Sequence, residues 1–176
     1  MADEPQAKHK AGPAGGPPAA DPARDLVISR IIDAPAILVW RAWTRPEHIV
    51  RWFTPPPWTT PECRIDLRPG GHFCTVMRGP DGAEHASCGV YLEVEEPRRL
   101  VFTDALEPGW RPAASPFFTA ILTFEALAEG GTRYTARLLH KDAADRGKHE
   151  AMGFHEGWGI ATDQLAALVA SLKAAG

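Results

Sequence analysis

The sequence has no apolar run long enough for a membrane span or a secretory signal, so a soluble, cytoplasmic protein is expected. It has no excess of basic charge. Its 19 Lys and Arg stand against 22 Asp and Glu, a net charge of −3, and no basic stripe could neutralise a phosphate backbone. Nucleic acid is therefore excluded as a partner. Cysteine is scarce: Cys63, Cys74 and Cys88 are odd in number, lie in strand-like runs and form no CxxC unit. They read as reduced core thiols in a reducing compartment. A phosphate-binding glycine loop is missing too, since Gly70-Gly71 leads into a strand and not a helix. Staples are not needed, because one domain of this length can bury roughly 68–70% of its unfolded surface.

Large apolar residues are almost absent from "MADEPQAKHKAGPAGGPPAADPARD", which is rich in Ala, Pro and Gly. Such a segment cannot bury enough surface to offset the entropy of ordering, and residues 1–23 are expected to be a disordered tail before a domain at 24–176. From Asp25 the signals sharpen. "DLVISRIID" is β-branched and predicts a strand, followed by a short helix capped at Asp33 or Ala34 with Pro35 in its first turn. Thr44-Arg45-Pro46-Glu47 fits a capping box opening a second short helix. That helix carries Ile49, Trp52 and Phe53 and must stop before the three prolines at 55–57.

Beyond the prolines the period becomes two. Strands are expected at "ECRIDLR", "HFCTVMR", "AEHASCGVYLEVEE", "RRLVFT", "FFTAILTFEA" and "TRYTARLLH", separated by Gly-bearing turns or a looser loop. Cys88, Val90, Leu92 and Val94 share one face and are read as inward; Tyr134, Ala136, Leu138 and His140 likewise share a face. The chain closes with a long helix whose stripe runs Phe154, Trp158, Ala161, Leu165, Leu168, Leu172. The order of one strand, two short helices, six strands and one long helix predicts an α+β fold. A curved antiparallel sheet would grip the C-terminal helix.

"RIIDAPAILVWRAWTRPEHIVRWFTP", "LRPGGHFCTVMRGPDG", "GVYLEVEEPRRLVFTD" and "HEAMGFHEGWGIATDQLAALVASL" resemble the bacterial proteins that share the C-terminal domain of the activator of Hsp90 ATPase. That family belongs to the START-like, Bet v 1-like helix-grip superfamily. The resemblance is collinear over about residues 25–174. It implies a helix-grip fold, and a superfamily of lipid carriers, hormone receptors, cyclases and co-chaperones. The eukaryotic activator carries a further N-terminal domain, and only the tail precedes Asp25 here.

Histidine clusters yield no metal site. His85 and Cys88 are three apart in a strand and point to opposite faces, and His149 and His155 are six apart, off the spacing that puts two ligands on one helix face. His149 and His155 are read as structural or solvated. His140 continues an inward strand face and is the histidine favoured for ligand contact. Cys88, read as buried, should have a raised pKa and be a poor nucleophile. No catalytic residue, metal or cofactor is assigned. The strongest signal is Gly153, Gly157 and Gly159 in the N-terminal half of the last helix, where each costs roughly 0.8–1.0 kcal/mol against Ala. Gly157 lies among Phe154, Trp158 and Ala161, and its missing side chain makes either room for a ligand or a close backbone contact. Trp40, Trp52 and Phe53 are expected to pack as core. Trp110 in its loose loop is read as a pocket rim, and Trp58 as rim or ordinary packing.

The resulting expectation is a domain that binds a hydrophobic small molecule or lipid between sheet and helix, with Cys88, Trp110, Tyr134, His140, Phe154, Gly157 and Trp158 around the cavity. Two alternatives stand beside it. One is a co-chaperone-like domain that engages an Hsp90-type chaperone. The other is a cyclase or hydrolase using the same pocket through His140 or Tyr134.

Overall fold

The computed structural model describes residues 19–175. Most of the expected tail, residues 1–18, lies outside the described residues. Residues 19–24 form a turn in which the Asp21 carboxylate accepts from the Ala23 N–H and the Arg24 guanidinium. Strand β1 (Asp25–Ile32) follows, then α1 (Ala36–Thr44) and the single turn α2 (Pro46–Ile49). Pro35 itself is the N-cap of α1, one residue past the expected cap. The capping box does not form. Thr44 is still the last residue of α1, and its hydroxyl donates back to the Trp40 carbonyl at 2.9 Å, so Arg45 caps α2 without a side-chain bond.

The chain continues through β2 (Thr59–Ile65), β3 (His72–Arg78), β4 (Glu84–Glu95), β5 (Arg99–Thr103), the two-residue pair β6 (Leu106–Glu107) and β7 (Arg111–Pro112), β8 (Thr119–Ala126) and β9 (Thr132–Leu139). Seven of these strands form one antiparallel sheet in the order β1-β9-β8-β5-β4-β3-β2. Strand β2 ends at Ile65, earlier than the alternation suggested. Leu67 belongs to a turn whose Gly70 N–H and Gly71 carbonyl pair with the backbone of Tyr91.

Two helices close the chain, α3 (Ala143–Ala151) and α4 (Phe154–Ala174), where the sequence suggested one. The break is Gly153, with φ +90°, a left-handed conformation that glycine adopts without the steric cost other residues bear. Gly153 is thus the N-cap of α4 and not part of its interior. Helix α4 buries Phe154, Ala161, Leu165, Leu168 and Val169 against α1 and the concave sheet face. There Trp40, Phe124, Tyr134, Ala136 and Leu138 complete a close-packed core. Full burial of each large side chain contributes roughly 1.5–3 kcal/mol. Gln164 of α4 donates to the carbonyls of Trp52 and Thr54, which ties the segment after α2 to the long helix.

Strand β4 corrects one reading of faces. Ser87 and Gly89 sit opposite Thr75 and Phe73 on the concave side, so Cys88, Val90 and Leu92 face away. A register shift between Tyr91 and Glu93 then returns Val94 to the core. Alternation shows which residues share a face but not which face is inward. Cys88 is exposed and is joined in a disulfide to Cys74, its register partner on β3, with the Cα atoms 4.0 Å apart. Only Cys63 is a free thiol among the described residues, and burial pushes its pKa up to about 12. The expectation of three reduced core thiols is corrected for Cys74 and Cys88, which are paired, and among the described residues Cys63 alone fits it, as a free thiol packed against the core.

Candidate binding cavity

The close-packed core fills one half of the space between sheet and α4. The other half is a cavity of about 480 Å³. Its depth is aromatic: Trp43 of α1, Trp52 and Phe53 after α2, Phe73 of β3, Phe102 of β5, and Phe154 and Trp158 of α4. These rings hold one another in edge-on and tilted contacts, with Trp43 4.7 Å from Trp52 and Phe73 5.0 Å from Phe102. Trp52 is fixed further by its indole N–H, which donates to the Ala42 carbonyl at 3.0 Å. Met152, 74% exposed, marks the open end together with Ser87 and the half-buried Met77 and Phe117.

Gly157 lies on the cavity wall, and a Cβ built there would meet nothing within 4 Å. The absent side chain therefore leaves open space, and no close backbone contact explains it. On the sheet side Thr75 and Ser87 are register partners that both line the cavity. Among the described residues Asp104 is the one acidic side chain on the wall. Its carboxylate accepts from the Phe117 and Phe118 N–H groups at 2.9–3.1 Å and so anchors the segment before β8.

His149 of α3 completes the wall between Phe117, Phe118 and Phe154. It is 7% exposed, and its Nδ1 lies 2.9 Å from Nε2 of His140. Burial, with the neighbouring His140 adding to it, pushes the His149 pKa down to about 4. The ring is neutral at pH 7.

Of the residues expected around a pocket, Phe154, Gly157 and Trp158 lie on the wall. Cys88 does not, because it is on the outer face. Tyr134 is buried in the packed core against Trp43 and Phe124, and its phenol pKa is raised by that burial. His140 stands behind His149, and its Nδ1 lies 3.0 Å from the Arg24 carbonyl. Trp110 is not a rim. It is 59% exposed, has φ +68° and lays its indole over Gly70, where a Cβ would come within 2.4 Å of the ring. Trp58 packs beside His85, away from the cavity.

Sequence reasoning missed Trp43, Phe73, Thr75, Met77, Ser87, Phe102, Asp104, Phe117, Phe118 and Met152, read Trp52 and Phe53 as core alone, and set His149 aside. Only Trp43 carried a usable signal, three residues after Trp40 on the same short helix. Among the described residues no group of three or more His, Cys, Asp or Glu could hold a metal ion. Among the same residues no helix is long and apolar enough to cross a membrane.

A seven-stranded antiparallel sheet closed by one long helix over an aromatic cavity defines a helix-grip domain. The family model described as activator of Hsp90 ATPase homolog 1-like protein matches residues 33–170, and the chain belongs to that family. Among solved structures, a Nitrosomonas europaea protein is 44% identical, with a TM-score of 0.84 over 88% of this chain and 99% of that one. A Mycobacterium smegmatis protein is 30% identical, with a TM-score of 0.70 over 83% and 90%. An Arthrobacter aurescens protein is 27% identical, with a TM-score of 0.71 over 85% and 87%. No curated protein matches the chain.

Proposed function

We propose that this domain binds an uncharged, largely apolar small molecule with a flat ring system in the cavity between the sheet and α4. The observation that carries the reading is the open space in front of Gly157, in a cavity lined by nine Phe and Trp rings. A helical glycine costs roughly 0.8–1.0 kcal/mol relative to alanine, and here no packing contact compensates for it. The lining favours neutral ligands, because its one acidic group is held by backbone donors and its histidine is uncharged. Phe154, Gly157 and Trp158 form the helix side of the proposed site.

Titration with an environment-sensitive apolar dye tests this directly. The wild-type protein should show one saturable site. Gly157→Leu should keep the fold and lose binding, because its side chain extends into the space the ligand needs. A Gly157→Leu protein that binds the dye as wild type does would refute the assignment, as would a wild type without a saturable site.

The family's description motivates a second reading, a protein-binding role at an Hsp90-type chaperone. Its measure is the ATP turnover of such a chaperone with and without saturating protein. An unchanged rate with no detectable complex would remove it.

A further inference from the structure

The two histidines behind the cavity wall select what kind of polar group a ligand can carry. His140 Nδ1 is 3.0 Å from the Arg24 carbonyl oxygen, and a carbonyl can only accept, so Nδ1 holds the proton. In the neutral ring Nε2 is then a lone pair. That lone pair lies 2.9 Å from His149 Nδ1, which must therefore be the donor. The proton positions of both rings follow from one backbone carbonyl. His149 is left with a bare Nε2, which makes no hydrogen bond to any described residue, on a residue of the cavity wall. Its ring cannot swing away, since it is stacked on Phe118 at 5.5 Å and met edge-on by Phe154 at 5.2 Å.

We propose that His149 Nε2 is a fixed hydrogen-bond acceptor for the ligand, so that the cavity prefers a hydroxyl-bearing aromatic, such as a phenol, over the same ring system without a donor. This rests on the cavity reading and adds the ligand class to it. His149 touches the ligand, and His140 is a positioning residue that sets the tautomer of His149. The low pKa of His149 agrees with the assignment, because a ring that stays neutral keeps its lone pair available. Aromatic walls supply the affinity, and a donor on the ligand is matched where a methyl ether would leave Nε2 without a partner.

The test compares 2-naphthol with its methyl ether, 2-methoxynaphthalene, in equilibrium titrations at about pH 8, where unperturbed histidines are neutral. Wild type should bind the naphthol about five- to tenfold more tightly than the ether, the ratio one added hydrogen bond supplies. His149→Phe should bind both within about twofold of each other. Nitrogen-15 NMR of the wild-type side chains should show His149 protonated on Nδ1. In His140→Leu that proton should shift to Nε2, and the preference for the naphthol should narrow.

Equal binding of both probes by wild type would overturn the inference while leaving the cavity reading intact. A wild-type His149 protonated on Nε2 would overturn it as well, without requiring any variant to fold. Saturable binding of neither probe would overturn the cavity reading, and the inference with it.

Discussion

His149 and Gly157 are the two residues whose substitution separates the cavity from the rest of the fold. The His149 pKa falls from 6.5 in an open chain to about 4 in the folded protein, by burial first and by the nearby His140 second. Between those values the unfolded chain binds more protons than the native state, so stability rises with pH across that window. Acidification from pH 7 should therefore begin to destabilise near pH 6.5 and finish its effect near pH 4. The loss is at most about 3 kcal/mol, and smaller where water in the cavity screens the ring. Thermal melts across this range should show a shallower acid limb for His149→Phe than for wild type. An identical limb would mean that His149 does not carry the effect. At Gly157 a methyl group enters open space, so Gly157→Ala should raise stability by up to roughly 1 kcal/mol in a denaturant titration. A loss of stability would show that the space is not open.

At the scale of elements, the α3–α4 junction matters most, because it holds His149 on one side and Phe154 on the other. Gly153 turns the chain there with φ +90°. No atom lies within 4 Å of a Cβ at that position, so Gly153→Ala would suffer from backbone conformation alone, about 1–2 kcal/mol. The same variant should weaken probe binding, since α3 and α4 can no longer meet at the same angle. Gly153→Asn, which tolerates this region better, should recover part of both losses. Wild-type stability and affinity in Gly153→Ala would show that the turn is not needed. Gly89 works differently. A Cβ there would lie 2.2 Å from the Thr103 carbonyl oxygen, a backbone atom, so Gly89→Ala must push β4 and β5 apart. It should destabilise by roughly 1–3 kcal/mol in denaturant unfolding.

For the whole molecule, a close-packed half and a hollow half share one sheet and one helix, and stability and binding divide between them. Leu165 belongs to the packed half and is fully buried, so Leu165→Ala should cost about 2–5 kcal/mol. Occupying the hollow half should add stability without any new protein contact. At a hundred times its Kd, 2-naphthol should contribute about 2.7 kcal/mol. For a chain of this size that raises the Tm by roughly 5–10 °C. The shift should vanish in Gly157→Leu, and a shift that persists there would place the ligand elsewhere.

The order of the main strands and helices, though not the β6–β7 pair or the separate α3, the α+β class and the stripe of α4 were legible in the sequence. Periods of two and of 3.6 follow from backbone geometry, and they survive whatever the tertiary context does. Phe154, Gly157 and Trp158 could be grouped for the same reason, since they lie on neighbouring positions of one helix. Cys88 could be assigned to a face but not to a side of the sheet, because alternation looks the same from both. Trp110 was read as a pocket rim and is not one, because a loop residue is directed by its own turn, and this one folds back onto Gly70. The His140–His149 pair forms between a strand end and a separate helix, and the proton on each ring is set by the carbonyl of Arg24, 116 residues away from His140 in the chain. Local chemistry gave each histidine the ability to donate or accept. Only the closing of β9 and α3 around the N-terminal turn decided which nitrogen does which, and left one lone pair unmatched on the wall of an aromatic cavity.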